Sequence, residues 1–264
     1  MNPRSLGYRT DLIFARFDAE VTDRGDHLSI RTPQNPSFFW GNFLLFDRPP
    51  ASGDAARWSE LFAREIGAPP EIQHVALGWD TVEGETGELA EFLAAGFVSC
   101  RWRVQATARP LPPARPAEGL VIRPLDAEGE WLQSVENQVV TREPGDDEDG
   151  TRRFALGRIP RYRAMTAAGL GHWWGAFMGD KLVADLGLFC DGDLGRYQSV
   201  QTLPEFQKRG IGGALIHAAA RDAIEKCGVK TLVIVSEADT PAQRLYHALG
   251  FEPVEYQVGL VKRP

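Results

Sequence analysis

Cysteine is scarce in this chain of 264 residues: Cys100, Cys190 and Cys227 are odd in number and widely spaced. Such a set supports neither a disulfide framework nor the paired spacing of a zinc site, so no metal and a reducing, cytoplasmic setting are expected. Long apolar runs are missing as well, so no membrane span is expected. The start, MNPRSLGYRTDLIFARFDAE, is broken by charges and has no apolar core of the signal-peptide kind. Basic residues are the minority, 29 Lys+Arg against 36 Asp+Glu, a net charge of −7. With no Lys/Arg-rich run either, nucleic acid is not an expected partner. What is present is globular material, 43% hydrophobic and 25% charged, enough for one large core or two modest ones.

The clearest boundary is Arg109–Gly119, RPLPPARPAEG, with four prolines in eleven residues. Proline removes backbone donors and pushes its predecessor to extended conformations, so the segment reads as a semi-rigid linker. The expected division is a domain over 1–108, a linker over 109–118 and a second domain over 119–264. In the second domain, a strand over Leu120–Pro124 leads to a helix capped by Asp126 and running to about Val140. An acidic loop, Thr141–Gly150, precedes a second helix to about Ala168. Strands at His172–Met178, Lys181–Cys190 and Leu194–Leu203 with turn residues between them read as an antiparallel meander. Ile211–Lys226 carries a helical apolar stripe ended by Gly228, and TLVIVS (Thr231–Ser236) is a buried-strand run. A helix over Thr240–Leu249 and a strand over Glu255–Val261 follow. The first domain is similar in kind: strand Ser37–Phe46, helix Ala55–Ile66, strand Ile72–Trp79, helix Glu85–Ala95, strand Phe97–Ala106. The repeated order, and the likeness of LAEFLAAGF (Leu89–Phe97) to RLYHALGF (Arg244–Phe251), suggest an internal duplication.

The most informative segment is QSVQTLPEFQKRGIGG (Gln198–Gly213). A strand ends near Pro204, and Gln207, Lys208, Arg209, Gly210, Ile211 and Gly212 lead into a helix. The first turn of a helix has unpaired N–H groups and the positive end of the dipole, and so attracts an anion. Gly210, Gly212 and Gly213 have no side chains to hold a pyrophosphate away, and Lys208 and Arg209 add charge at the mouth. The competing reading is a helix start with glycines used for close packing. The motif is neither a Walker A loop nor a Rossmann fingerprint.

Gln207–Gly212 matches the Q/R-x-x-G-x-G/A pyrophosphate loop after the fourth strand of the GNAT superfamily of acetyl-CoA-dependent N-acetyltransferases. SEADTPAQRLYHALGF (Ser236–Phe251) is similar to the family's segment in which Asn/Asp precedes A-x-x-L-Y-x-x-x-G-F. The resemblance covers residues 119–264 and implies a mixed α/β sheet of the GNAT fold there, with a degenerate GNAT-like copy before the linker. It implies acetyl-CoA as co-substrate, with backbone amides near Val200, Gln201 and Thr202 holding the pantetheine and polarising the carbonyl, and those of Lys208–Gly213 holding the pyrophosphate. By similarity Tyr246 donates a proton to the departing thiolate, or else simply packs beside Leu245 and Phe251. Asp239 contacts CoA, caps the following helix, or does both.

The implied reaction is direct attack of a primary amine, a small molecule, on the thioester in a ternary complex. A protein or peptide N-acetyltransferase and a non-catalytic CoA-sensing or interaction module are the alternatives. The general base is open. Asp185, in the apolar strand around Leu182–Leu188, is either edge-exposed or functional, with Glu136, Glu205 or a water as other choices. The acidic run Glu143, Asp146, Asp147, Glu148, Asp149 either draws a cationic amine or is a solvated loop. Trp173, Trp174, Tyr162 and Tyr197 either line a pocket or belong to the core. The first domain lacks the glycine loop, reading DRPPASGD (Asp47–Asp54), and has Phe92 in place of the tyrosine. Its expected roles are packing, closing the acceptor cleft, or association, including a homodimer.

Overall fold

The computed structural model describes residues 1–113, 119–237 and 240–264. By contact density the chain forms two units, Met1–Val104, Val235–Thr240 and Pro253–Pro264 in one, Gln105–Ile234 and Pro241–Glu252 in the other.

In the first unit, helix α1 (Leu6–Asp18) precedes strands β1 (Glu20–Asp23), β2 (His27–Arg31) and β3 (Phe43–Phe46). Helix α2 (Asp54–Glu65), strand β4 (Val75–Trp79), the short helix α3 (Ala90–Ala94) and strand β5 (Val98–Thr107) follow. The chain's last strand, β11 (Glu252–Lys262), pairs antiparallel with β4 through Gly259 and Gly78. The order across this part of the sheet is β1-β2-β3-β4-β11-β5. β1, β2 and β3 are antiparallel neighbours, whereas β3 and β4 run parallel with α2 as the crossover. The core here is aromatic, with Trp58 of α2 stacked on Phe46 at a centroid distance of 3.7 Å and Phe92 of α3 beside it.

The second unit holds β6 (Val121–Pro124), α4 (Glu128–Val140), α5 (Glu148–Ala167), β7 (Gly171–Met178), β8 (Lys181–Asp191) and β9 (Leu194–Thr202). Helix α6 (Ile211–Cys227), strand β10 (Thr231–Glu237) and helix α7 (Pro241–Ala248) complete it. The strand order is β10-β9-β8-β7-β6, antiparallel except for the parallel β9–β10 pair. The apolar stripe read from Ile211 onward packs as Ile211, Leu215, Ile216, Ala219 and Ala223 against Leu186, Leu188, Tyr197 and Leu232. Gly228 ends α6 with φ of +69°, the left-handed stop its sequence announces. Leu111 N–H donates to Leu249 O at 2.8 Å, so the described start of the proline-rich segment is tied to the end of α7. Residues 114–118 of the expected linker lie outside the described residues.

The order helix, three-strand meander, helix, strand, short helix, strand runs from α1 to β5 and again from α5 to β11. Both middle helices begin after a left-handed glycine, Gly53 at φ +82° and Gly210 at φ +79°. The repeated order of elements thus extends through the first 36 residues, where sequence patterning had placed no elements.

Four local expectations change. Only Phe43–Phe46 of the strand expected over Ser37–Phe46 pairs, because Asn42 diverts the chain. Its Oδ1 accepts from Thr32 N–H at 2.8 Å and its Nδ2 donates to Asn35 O and Phe38 O, while Phe39–Gly41 makes a 3-10 turn. The helix expected from Glu85 starts only at Ala90, since Gly84 and Gly87 hold φ of +79° and +65°. The acidic loop expected over Thr141–Gly150 ends earlier, with Glu143 and Asp146 in it: Asp147 caps α5 through Gly150 N–H at 2.6 Å, and Glu148 and Asp149 lie in the first turn. Asp126 does not cap α4. Glu130 reaches back to the N–H groups of Asp126 and Ala127 and pairs with Arg123, which holds its carboxyl down at about 2.

Trp58 is fully buried in the first unit's core. Trp58→Ala should lower unfolding free energy by about 3–5 kcal/mol in urea denaturation. A loss below about 1 kcal/mol would mean that this unit does not fold around the Trp58–Phe46 stack.

Candidate active site

The site is built around one irregularity in β9. Gly187 pairs with Gln198 and Asp185 with Gln201, so two steps along β8 oppose three along β9. The extra residue is taken up at Ser199, at φ +46°, a β-bulge that reverses the alternation of side chains. Tyr197 before it donates its hydroxyl to Ile216 O of α6 at 2.8 Å, whereas Gln201 after it turns to α4. On the other side, β9 pairs with β10 only from Leu194–Arg196 against Thr231–Val233. Both strands run beyond that point. The stretch Val200, Gln201 and Thr202, expected to offer amides to a carbonyl, therefore lies past the last β9–β10 pair.

The glycine loop follows directly. After the 3-10 turn Pro204–Phe206, Gln207 folds back and its Nε2 donates to Thr202 O at 3.1 Å. Lys208 at φ +62° and Gly210 at φ +79° flank Arg209, whose φ is negative. Alternating signs of φ turn successive N–H groups to one side and form an anion-binding concavity, here at the positive end of α6. Lys181 and Arg209 lie at 4.9 and 5.1 Å from the ring of Phe206, so their charge stays near the mouth. A Cβ on Gly212 would stand 3.3 Å from Thr202 Oγ1, and one on Gly213 3.3 Å from Pro113 Cβ. Both glycines are thus used for close approach as well. Ile211 faces the core. Asp239 lies outside the described residues.

Asp185 is neither edge-exposed nor open. It is fully buried, and its Oδ1 accepts from Gln201 Nε2 at 2.8 Å, Ser134 Oγ at 2.9 Å and Trp173 Nε1 at 3.0 Å. Its Oδ2 accepts from Asn137 Nδ2 at 3.1 Å. Burial pushes its carboxyl up to about 6, against the pull of these four donors. The arrangement joins α4, β7, β8 and β9 at the bulge. Gln201 is held from its other end too, since Thr141 Oγ1 donates to its Oε1 at 2.9 Å. Sequence reasoning named Asp185 and Gln201 but missed Ser134 and Asn137, whose i, i+3 spacing on α4 was a usable signal.

Tyr246 is buried beside Phe251, with ring centroids 6.3 Å apart, and burial pushes its phenol up to about 12. Trp173, Tyr162 and Tyr197 are core residues: Tyr162 packs on Trp173 at 4.6 Å and on Phe189 at 5.4 Å. Trp174 is buried as well. Of the other base candidates, Glu136 pairs with Arg152 and Glu205 with Lys181. No group of three His, Cys, Asp or Glu among the described residues is placed to hold a metal ion, and no described helix is long and apolar enough to cross a membrane.

The corresponding turn in the first unit is closed by the chain's own carboxylates. Glu91 of α3 accepts from Gly53 N–H at 3.0 Å, and Asp54 accepts from Ala51 N–H at 2.8 Å while pairing with Arg48 and Arg57. Phe92, at the place of Tyr246, is fully buried.

This geometry has counterparts. The FR47-like protein family matches residues 175–258, which include the bulge, the glycine loop and α7. No curated protein matches. The GCN5-related N-acetyltransferase from Kribbella flavida superposes with a TM-score of 0.65 at 16% identity, over 98% of this chain and 96% of its own. This chain has the GNAT fold. A functionally unknown conserved protein from Staphylococcus epidermidis superposes at a TM-score of 0.73 and 13% identity, over 94% and 95% of the two chains. A tandem GNAT protein from the clavulanic acid biosynthesis pathway does so at 0.54 and 13%, over 100% and 90%. The GNAT fold, as a mixed α/β sheet, is that expected from the two motifs.

Because the folded carboxyl of Asp185 sits above its unfolded value of about 3.9, folding favours its protonated form. That stabilisation is complete below about pH 4 and is lost as pH rises through about 6. A rise to about 6 makes it about 3 kcal/mol. In urea titrations from pH 4 to 7, Asp185→Asn should show a fall in unfolding free energy smaller than the parent's by that order. Identical pH profiles would mean that Asp185 is ionised throughout.

Proposed function

We propose that this chain is an acetyl-CoA-dependent N-acyltransferase whose second unit carries the reaction on a primary amine of a small molecule. The observation that carries this reading is the Ser199 bulge placed next to the glycine loop. A strand whose amides leave the ladder is followed within a few residues by a helix-end concavity, which suits an extended thioester ending in a pyrophosphate.

The residues fit that donor. The amides of Lys208–Gly213 would hold the pyrophosphate, and those of Val200–Thr202 the pantetheine and acyl carbonyl. Acetyl-CoA supplies an activated acyl carbon with a good leaving group. The amine nitrogen forms the new N–C bond as the C–S bond breaks, the electron pair leaves on sulfur, and the proton lost by nitrogen balances the one the thiolate gains. Tyr246 remains protonated far above neutral pH and serves as donor to sulfur. Asp185 acts as a positioning residue, fixing Gln201 and hence β9 past the bulge. Proton removal from the acceptor then falls to a water. The first unit is read as a supporting copy, since Glu91 and Asp54 already occupy its helix-end amides.

Binding of CoA without turnover is the second reading, favoured by the enclosure of Asp185 among four donors. Thiol release with amine acceptors separates the two.

Calorimetric titration with acetyl-CoA should show one site per chain. Gly210→Glu should weaken that binding at least 100-fold, by placing negative charge in the concavity; strain at φ +79° adds about 1–2 kcal/mol of destabilisation. Retained affinity in a folded variant would remove the glycine loop from the site. Tyr246→Phe should lower kcat roughly 100-fold while the dissociation constant for acetyl-CoA changes little. Unchanged kcat with chemistry rate-limiting would exclude the phenol as the donor.

A further inference from the structure

The second unit holds an arginine that no carboxylate among the described residues neutralises. Arg158, on α5, is half-buried, and both of its hydrogen bonds leave from Nη2, to Gln138 Oε1 at 2.6 Å and to Ser199 Oγ at 3.5 Å. Its guanidinium lies over the ring of Phe154 at 4.2 Å and 5.7 Å from that of Tyr162. Its Nε is buried with no acceptor. No carboxylate stands within ion-pair distance of it among the described residues. Other arginines of α5 are paired: Arg152 with Glu136, Glu148 and Asp149, Arg153 with Asp147, Arg163 with Glu128.

A guanidinium is charged at any accessible pH, and withdrawing it from water without a counter-ion is costly. The aromatic face and the Gln138 amide hold it in one orientation, leaving Nη1 without a partner among the described residues. Unlike Nε, Nη1 is not enclosed, and a carboxylate can accept a charge-assisted hydrogen bond from it. Its position is equally specific. Ser199 is the bulge residue, adjacent to Val200, so the charge stands beside the point where the acyl carbonyl is held in the reading above, on the side of α4 and α5.

We propose that Arg158 is a specificity-determining residue that binds a carboxylate of the substrate pair. That carboxylate is carried either by the acceptor, which is then an amino acid, or by the acyl chain of the donor, which is then a dicarboxylic acyl-CoA. The inference rests on acyl transfer taking place at the bulge. It also reverses the sense of charge that the acidic run suggested, because Asp147, Glu148 and Asp149 cap the helix or pair with arginines, while the charge at the bulge that lacks a carboxylate is positive.

Two assays on the full chain, read by thiol release, distinguish the sources. In the first, acetyl-CoA is offered with L-amino acids and with their carboxamides. In the second, succinyl-CoA is compared with acetyl-CoA, with the carboxamides as acceptors. In one of them the carboxylate should raise kcat/KM at least tenfold, chiefly through KM. Arg158→Gln should bring that ratio close to one, and Arg158→Lys should keep part of it, with acetyl-CoA affinity by calorimetry unchanged in both. A third readout needs no turnover: line broadening of N-acetylglycine, against N-acetylglycinamide, in NMR spectra with the CoA-saturated protein. Broadening confined to the acid and lost in Arg158→Gln supports the anchor even if no amine turns over, in which case only the catalytic reading falls. A carboxylate preference surviving in folded Arg158→Gln, or no preference in the two assays and in the NMR experiment, overturns the proposal.

Discussion

The arrangement of the second unit depends on one extra residue in β9. A regular strand would place Tyr197, Ser199 and Gln201 on one face. Because Ser199 is absorbed as a bulge, Tyr197 bonds to α6 while Gln201 bonds to Asp185 and Thr141. The strand is thereby fastened to helices on both faces of the sheet, and its last residues are no longer ladder partners of β10. A bulge is a local defect in pairing that costs free energy. It persists here because side chains on four elements hold each end of it. The helix start bearing the glycine loop follows from where this strand ends.

Asp185 is the counterpart of that constraint. A carboxylate closed off from water is unfavourable, and burial raises its pKa to about 6. The four donors around it are the compensation, and each arrives from a different piece of secondary structure or a different turn of α4. Arg158, on α5 and bonded to Ser199 of the bulge, is a second charge drawn partly from water and compensated only in part: its face is covered by Phe154 and one amino group is satisfied, while its Nε has no partner. A fully compensated charge beside an incompletely compensated one is the contrast by which a structural group and a ligand-facing group can be told apart.

The two halves repeat one order of elements and differ at the start of the middle helix. Both halves carry a meander, a left-handed glycine and a helix begun at that glycine. In the first unit the amides at the helix start donate to the carboxylates of Glu91 and Asp54, so the electrostatic property of the helix terminus is retained and satisfied internally. In the second unit the same terminus is flanked by Lys208 and Arg209 instead. The final strand of the second repeat, β11, pairs with β4 of the first, so the chain's last element completes the sheet begun by its first half.

Much of this was legible in the residues. Element order in the second unit, the start and stop of α6, and the glycine loop are local properties: contiguous residues with suitable φ preferences and apolar spacing determine them wherever they occur. Expectations failed where side chains compete with the backbone, as Asn42 does in the expected strand before Phe43, or where glycines at positive φ delay a helix, as before Ala90. The end of the acidic loop was placed three residues too late, at Gly150 where α5 begins at Glu148, because helix caps and solvated loops share a composition. By itself, then, the sequence determined the fold class and the glycine loop at the start of α6. Only tertiary structure decided the bulge at Ser199, the enclosure of Asp185 and the placement of Arg158. Asp185 meets partners 12 to 51 positions away, and Arg158 meets Ser199 across 41. Such contacts follow from how helices pack on a sheet, and no local pattern of residues encodes them.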